Sequence, residues 1–160
     1  MEKVPKTPLH VAKYPAGLES KVEELEMIVS SRQQSGNLAT AVGIVGFGGV
    51  GKTTLAKQFF NSHRSNYEGS CFLSEVREKA SRNSLNSLQA QLLRDLTPQN
   101  KEIDTAAEGI EVLKRYLLSS TRALIVVDDM NNNDQLDALF FPTKHTSSLI
   151  LVTSRNKDVL

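Results

Sequence analysis

A chain of 160 residues, 39% hydrophobic and 23% charged, has the composition of one globular domain. Nineteen basic residues stand against 18 acidic ones, a net charge of +1, which removes any electrostatic case for nucleic acid or an anionic membrane surface as a partner. A chain this long buries roughly 70% of its unfolded surface and needs no disulfide or metal staple. Its one cysteine, Cys71, fits a reducing compartment. No apolar run approaches the roughly 20 residues of a membrane span, and Met1-Glu2-Lys3-Val4-Pro5-Lys6 opens no secretory signal. The expected location is the cytoplasm.

In chain order, Pro5 and Pro8, followed by Pro15, make residues 1–14 an extended segment. Leu18, Val22, Leu25 and Val29 then repeat at helical spacing, and Ser35-Gly36-Asn37 ends that helix. Residues 40–45, 123–127 and 148–152 are almost continuously apolar, the pattern of parallel strands buried on both faces. A fourth strand is expected at 70–74. Between the strands lie helical patterns: Leu55, Ala56 and Phe59 after Lys52; Leu85, Leu88, Leu92 and Leu96; and Ile110, Leu113 and Leu117 behind a capping box from Thr105 to Glu108. Strands alternating with helices predict an α/β fold with a parallel sheet flanked by helices.

Three polar clusters follow the C-terminal ends of buried strands, the edge at which open α/β sheets bind ligands. The first is Gly46-Phe47-Gly48-Gly49-Val50-Gly51-Lys52-Thr53-Thr54, which matches G-x-x-x-x-G-K-[ST]. A phosphate chain wrapped by backbone N–H groups leaves no room for side chains, hence Gly46, Gly48, Gly49 and Gly51 around Val50. The helix opening near Lys52 presents unpaired N–H groups and a favourable dipole to an anion. Lys52 supplies a point charge to the β- and γ-phosphates, the Thr53 hydroxyl is placed for Mg²⁺, and Thr54 for the α-phosphate. A Gly-rich turn with a surface lysine is the bland reading; a buried strand before the motif and a helix after it favour the phosphate site.

The second cluster is Asp128-Asp129 at the end of Leu124-Ile125-Val126-Val127. Alone, it reads as a polar strand end. Paired with the glycine-rich loop, Asp128 is the expected Mg²⁺ partner opposite Thr53, and Asp129 the candidate general base for an attacking water. In the third, Thr153-Ser154-Arg155 ends an apolar strand, and the Arg155 guanidinium suits bidentate contact with a γ-phosphate. His10, His63 and His145 are scattered without metal-ligand spacing. Cys71 reads as a small core residue, and Lys13, Lys57 and Arg64 as solvated charges.

These motifs, in this order, resemble the NB-ARC nucleotide-binding domain of plant NLR (NBS-LRR) disease-resistance proteins, within the STAND class of P-loop NTPases. The resemblance covers residues 15–160. It rests on Pro15-Ala16-Gly17-Leu18-Glu19-Ser20-Lys21-Val22-Glu23, the glycine-rich loop, Cys71-Phe72-Leu73-Ser74-Glu75-Val76-Arg77-Glu78, Val126-Val127-Asp128-Asp129 and Leu151-Val152-Thr153-Ser154-Arg155. Met130-Asn131 after the aspartates, in place of a nearby tryptophan, is closer to the TIR class than to the coiled-coil class.

The resemblance implies Ala16 and Gly17 against an adenine, ATP/ADP with Mg²⁺ as cofactors, and the 149–155 strand lying between the strands that carry the loop and the aspartates. It also implies a final sheet strand and helical subdomains beyond Leu160, and protein partners engaged through those further domains or by self-association. The implied role is a switch in plant defence, resting with ADP, active with ATP and reset by slow hydrolysis. The alternatives are a P-loop ATPase whose turnover is the output, and an adaptor or decoy that binds partners without nucleotide. No Asn-Lys-x-Asp string specifies guanine.

Overall fold

A computed structural model of the chain describes residues 8–9, 17–34, 40–45, 50–96, 102–118, 122–132, 134–135, 139, 148–156 and 158. The elements run α1 (Leu18–Gln34), β1 (Thr40–Val45), α2 (Val50–His63), a 3-10 turn (Arg64–Asn66), β2 (Gly69–Leu73), α3 (Val76–Leu96), α4 (Ala106–Leu118), β3 (Ala123–Met130) and β4 (Leu149–Ser154). The four strands form one sheet in the order β1-β4-β3-β2. Every neighbouring pair is parallel. This is the α/β architecture expected from the apolar runs, with β4 between β1 and β3.

At its centre the sheet is covered on both faces, which explains why β3 lacks polar alternation; β1, at the sheet edge, buries Val42 but exposes Ala41, Gly43 and Val45, so the expected burial on both faces does not hold there. Along β3, Ala123, Ile125 and Val127 pack with Leu88, Leu92 and Leu113 of α3 and α4. The intervening Leu124 and Val126 pack with Val22, Leu25, Phe59 and Phe60 of α1 and α2. All five strand residues are fully buried. Cys71 lies in the same core, as expected, and its thiol donates to Asp95 Oδ2 at 3.3 Å.

Local signals set several boundaries. Gly17 heads α1 at φ +86°, a left-handed conformation that favours glycine, and its carbonyl accepts the Lys21 N–H at 3.1 Å. Thr105 caps α4 through its hydroxyl, which accepts the Glu108 N–H at 3.1 Å. The reciprocal half of the box is slipped by one residue, with Glu108 Oε2 accepting from the Asp104 N–H at 3.3 Å. Helix α3 starts nine residues before its leucine repeat. Val76 anchors that early turn by complete burial, while polar residues between it and Leu85 conceal the helical period.

Two contacts tie distant segments together. Asn61 on α2 accepts the Leu9 N–H and donates to the Leu9 carbonyl, both at 2.9 Å, so one carboxamide holds that backbone as a sheet neighbour would. Tyr116 on α4 donates to the Leu96 carbonyl at 2.8 Å, satisfying a carbonyl at the end of α3. No described helix is long and apolar enough to cross a membrane.

Candidate functional site

The site begins with a register fault. Along β3 and β4, Val127 pairs with Val152 but Met130 pairs with Ser154, so two residues, Asp128 and Asp129, oppose the single Thr153. This is a β-bulge. In an unbroken strand, neighbours point to opposite faces, and the two carboxylates would be separated by the sheet. At the bulge Asp129 takes φ +59°, which Asp tolerates better than most residues. Both aspartates then line one cleft.

Thr153 locks the bulge. Its hydroxyl accepts the Asp129 N–H at 2.8 Å and donates to Asp128 Oδ1 at 2.6 Å. Asp128 is 4% exposed and Thr153 2%. A short bond from a buried hydroxyl to a carboxylate is of the stronger, charge-assisted kind. The adjoining Ser154 hydroxyl donates to the Met130 carbonyl at 2.6 Å, fastening the strands beyond the bulge.

Helix α2 supplies the opposite wall. The Thr53 hydroxyl lies 3.1 Å from both Asp128 carboxylate oxygens. Lys52 and Lys57 line the same cleft, together with Ser74 and Glu75 from the end of β2. The cleft encloses about 440 Å³, within the range of small-ligand sites. Since α2 begins at Val50, its first-turn N–H groups make that end of the helix favourable to anions. Thr54 is buried on α2. Gly51 is exposed at its head.

The third wall is cationic. Arg155 lines the cleft, with Nε 4.0 Å from Asp129 Oδ1. Arg77, on the first turn of α3, reaches Asp129 Oδ2 at 3.3 Å. Asp129 is thus bracketed by two guanidinium groups.

The structure brings together Lys52, Thr53, Asp128, Asp129 and Arg155 around one cleft. Gly17 is not among the residues lining it, and Ala16, Gly46, Gly48 and Gly49 lie outside the described residues. Lys57, expected on a solvated face, instead borders the cleft, five positions beyond Lys52 on α2. In the sequence Arg77 stands out only as part of a family segment. Its nearness to Asp129 comes from the parallel pairing of β2 with β3, which brings the start of α3 beside the end of β3.

The donor set fits a magnesium-bound phosphate chain. It combines a hydroxyl and a carboxylate on facing elements with lysines and an arginine on the walls. Among the described residues, no group of three or more His, Cys, Asp or Glu side chains is arranged to hold a metal. The Thr53 hydroxyl and the Asp128 carboxylate, 3.1 Å apart, suit Mg²⁺, which keeps several waters and takes further oxygens from substrate phosphates.

Comparison with known proteins agrees with this architecture. The solved structure of the Aeropyrum pernix ORC2 protein, in ADPNP-ADP complexes, aligns with 92% of this chain and 43% of its own at a TM-score of 0.57. At 17% identity the likeness concerns the fold. The chain is 35% identical over 147 residues to disease resistance-like protein DSC1 of Arabidopsis thaliana, covering 90% of this chain and 12% of that protein. It is 35% identical over 148 residues to disease resistance protein RUN1 of Vitis rotundifolia (90% and 11%), and 36% identical over 148 residues to disease resistance protein RPV1 of the same species (90% and 10%). The chain therefore spans about a tenth of the length of these relatives. The NB-ARC domain model matches residues 18–160, and with that match over most of its length the chain belongs to the NB-ARC domain family.

Proposed function

We propose that this domain binds an adenine nucleotide as its Mg²⁺ complex and serves as the ADP/ATP switch module of a plant disease-resistance receptor, with slow hydrolysis returning it to the resting state. The carrying observation is the meeting of the Thr53 hydroxyl with the Asp128 carboxylate, 75 positions apart in the chain and 3.1 Å apart in space, beside Lys52. Bound Mg²⁺ neutralises charge on the phosphates. Thr53 and Asp128 hold that ion, Asp128 through water; Lys52 binds the β- and γ-phosphates; Gly46, Gly48, Gly49, Val50 and Gly51 donate backbone N–H groups; Thr54 attends the α-phosphate. Ala16 and Gly17 border the adenine. Asp129 orients a water for hydrolysis, and Arg155 contacts the γ-phosphate.

The test is titration calorimetry of Mg-ATP and Mg-ADP with the chain and with Lys52→Ala. A charged hydrogen bond contributes about 1.5–3 kcal/mol, so the substitution should weaken Mg-ATP binding roughly ten- to a hundredfold. Unchanged affinity would remove the phosphate site from this cleft.

A further inference from the structure

The bracketing of Asp129 is unequal. Arg155 approaches from within the cleft, its side chain is 57% exposed, and its Nε stands 4.0 Å from Oδ1. Arg77 approaches from α3 without being a cleft-lining residue, and its Nη2 stands closer, 3.3 Å from Oδ2. One cation is therefore loosely held and faces the ligand space. The other is nearer and is not among the residues that line the cleft. The bond to Thr153 holds the Asp129 backbone at φ +59°, and the two guanidinium groups, one on each oxygen, are what hold its carboxylate.

These facts pose a problem of charge. A nucleoside triphosphate would bring its terminal phosphate to the end of the cleft where Asp129 and Arg155 stand. Arg155 carries one positive charge, and what Asp129 offsets is lost to the phosphate. If Arg155 is drawn to the phosphate, the Asp129 carboxylate faces a like charge in a partly desolvated cleft, and the two repel. A nucleoside diphosphate poses no such conflict.

We propose that Arg77 is a positioning residue that retains the Asp129 carboxylate, and neutralises it, when Arg155 is drawn to a γ-phosphate. Arg77 thereby sets the preference of the cleft for triphosphate over diphosphate. The proposal rests on the nucleotide-binding reading of the same cleft. It assigns Arg77 no contact with the nucleotide. Its effect passes through Asp129 and falls on one ligand only.

The test compares ATPγS and ADP affinities, each with Mg²⁺, for the unaltered chain, Arg77→Gln, Arg77→Lys, Asp129→Asn and the double variant Arg77→Gln/Asp129→Asn. Glutamine keeps most of the side chain's length at a half-exposed position and removes its charge. A partly exposed ion pair contributes modestly, and exposure of an uncompensated carboxylate to a phosphate adds to that. The expected result is a roughly three- to tenfold loss of ATPγS affinity in Arg77→Gln, with ADP affinity changed less than about twofold. Arg77→Lys should recover most of the lost preference. In the Asp129→Asn background, Arg77→Gln should leave the ATPγS-to-ADP ratio unchanged, since no charge remains to neutralise.

Equal losses for both nucleotides, no loss for either, or a selective loss that persists in the Asp129→Asn background would each overturn the proposal while leaving nucleotide binding intact. Absence of binding by the unaltered chain would overturn the nucleotide-binding reading, and this proposal with it. If Arg77→Gln unfolds, Arg77→Met decides on the same terms: a loss of ATPγS affinity without a matching loss for ADP supports the charge argument, and an ATPγS-to-ADP ratio equal to that of the unaltered chain overturns it.

Discussion

Thr153→Val replaces one hydroxyl with a methyl group of nearly the same shape. Thr153 is almost wholly buried, so the exchange opens no cavity and isolates the chemistry of the oxygen. Two bonds are lost: the 2.6 Å donation to Asp128 Oδ1, and the 2.8 Å acceptance from the Asp129 N–H. A hydrogen bond to a charged group contributes about 1.5–3 kcal/mol, and a buried donor left without an acceptor costs about 1–3 kcal/mol. Asp128 keeps the Thr53 hydroxyl, and Asp129, with its side chain 25% exposed, lies near water. Both facts reduce the sum.

A net destabilisation of about 3 kcal/mol is expected for Thr153→Val, close to the size of the larger single-residue effects. For a chain of this length that lowers Tm by roughly 6–12 °C. Thermal unfolding followed by circular dichroism measures it. Thr153→Ser, which keeps the oxygen and loses only a methyl group, should fall by less, in line with about 0.5–1.5 kcal/mol for a methyl deletion. A Tm for Thr153→Val within about 1 °C of the unaltered chain, or a larger drop for Thr153→Ser, would refute the claim that this hydroxyl locks the bulge.

The two aspartates should separate in function. Asp128→Asn should weaken the dependence of ATP binding on Mg²⁺, whereas Asp129→Asn should bind Mg-ATP no less tightly and hydrolyse it more slowly; titration at varied Mg²⁺ and single-turnover hydrolysis distinguish them, and equal loss of metal dependence in both would sink the assignment. Gly109→Ala tests the contact between α3 and α4. A Cβ there would land on the buried carboxamide of Gln89, whose Nε2 donates to the Ala106 carbonyl at 3.0 Å. Overpacking of this kind costs about 1–3 kcal/mol against a gain of up to about 1 kcal/mol in helix propensity. The urea midpoint should fall, and should recover relative to Gln89→Ala alone when the two changes are combined. A stabilised Gly109→Ala single variant would show that α4 packs elsewhere.

Much of this fold can be read from local pattern because its causes are local. The run from Ala123 to Val127 lies within one strand, since a strand buried on both faces must be apolar throughout. Thr105 announces the start of α4 because capping needs only an oxygen within reach of an N–H three residues on. The G-x-x-x-x-G-K-[ST] string at residues 46–53 stands out because its residue types recur at one fixed spacing. The placement of Asp128 and Asp129 is different. Period-two alternation assigns them to opposite faces of the sheet, and they share a cleft only because β3 gains one residue on β4 at Thr153. Register between two strands is settled by packing on both faces and by the Thr153 hydroxyl, neither of which the residues beside the aspartates encode. Arg77, Lys57 and Gly109 belong with them. Each earns its place from a neighbour brought near by strand pairing or helix packing, so nothing in its own stretch of chain marks it. The residue types at this site belong to the sequence, and their convergence belongs to the sheet.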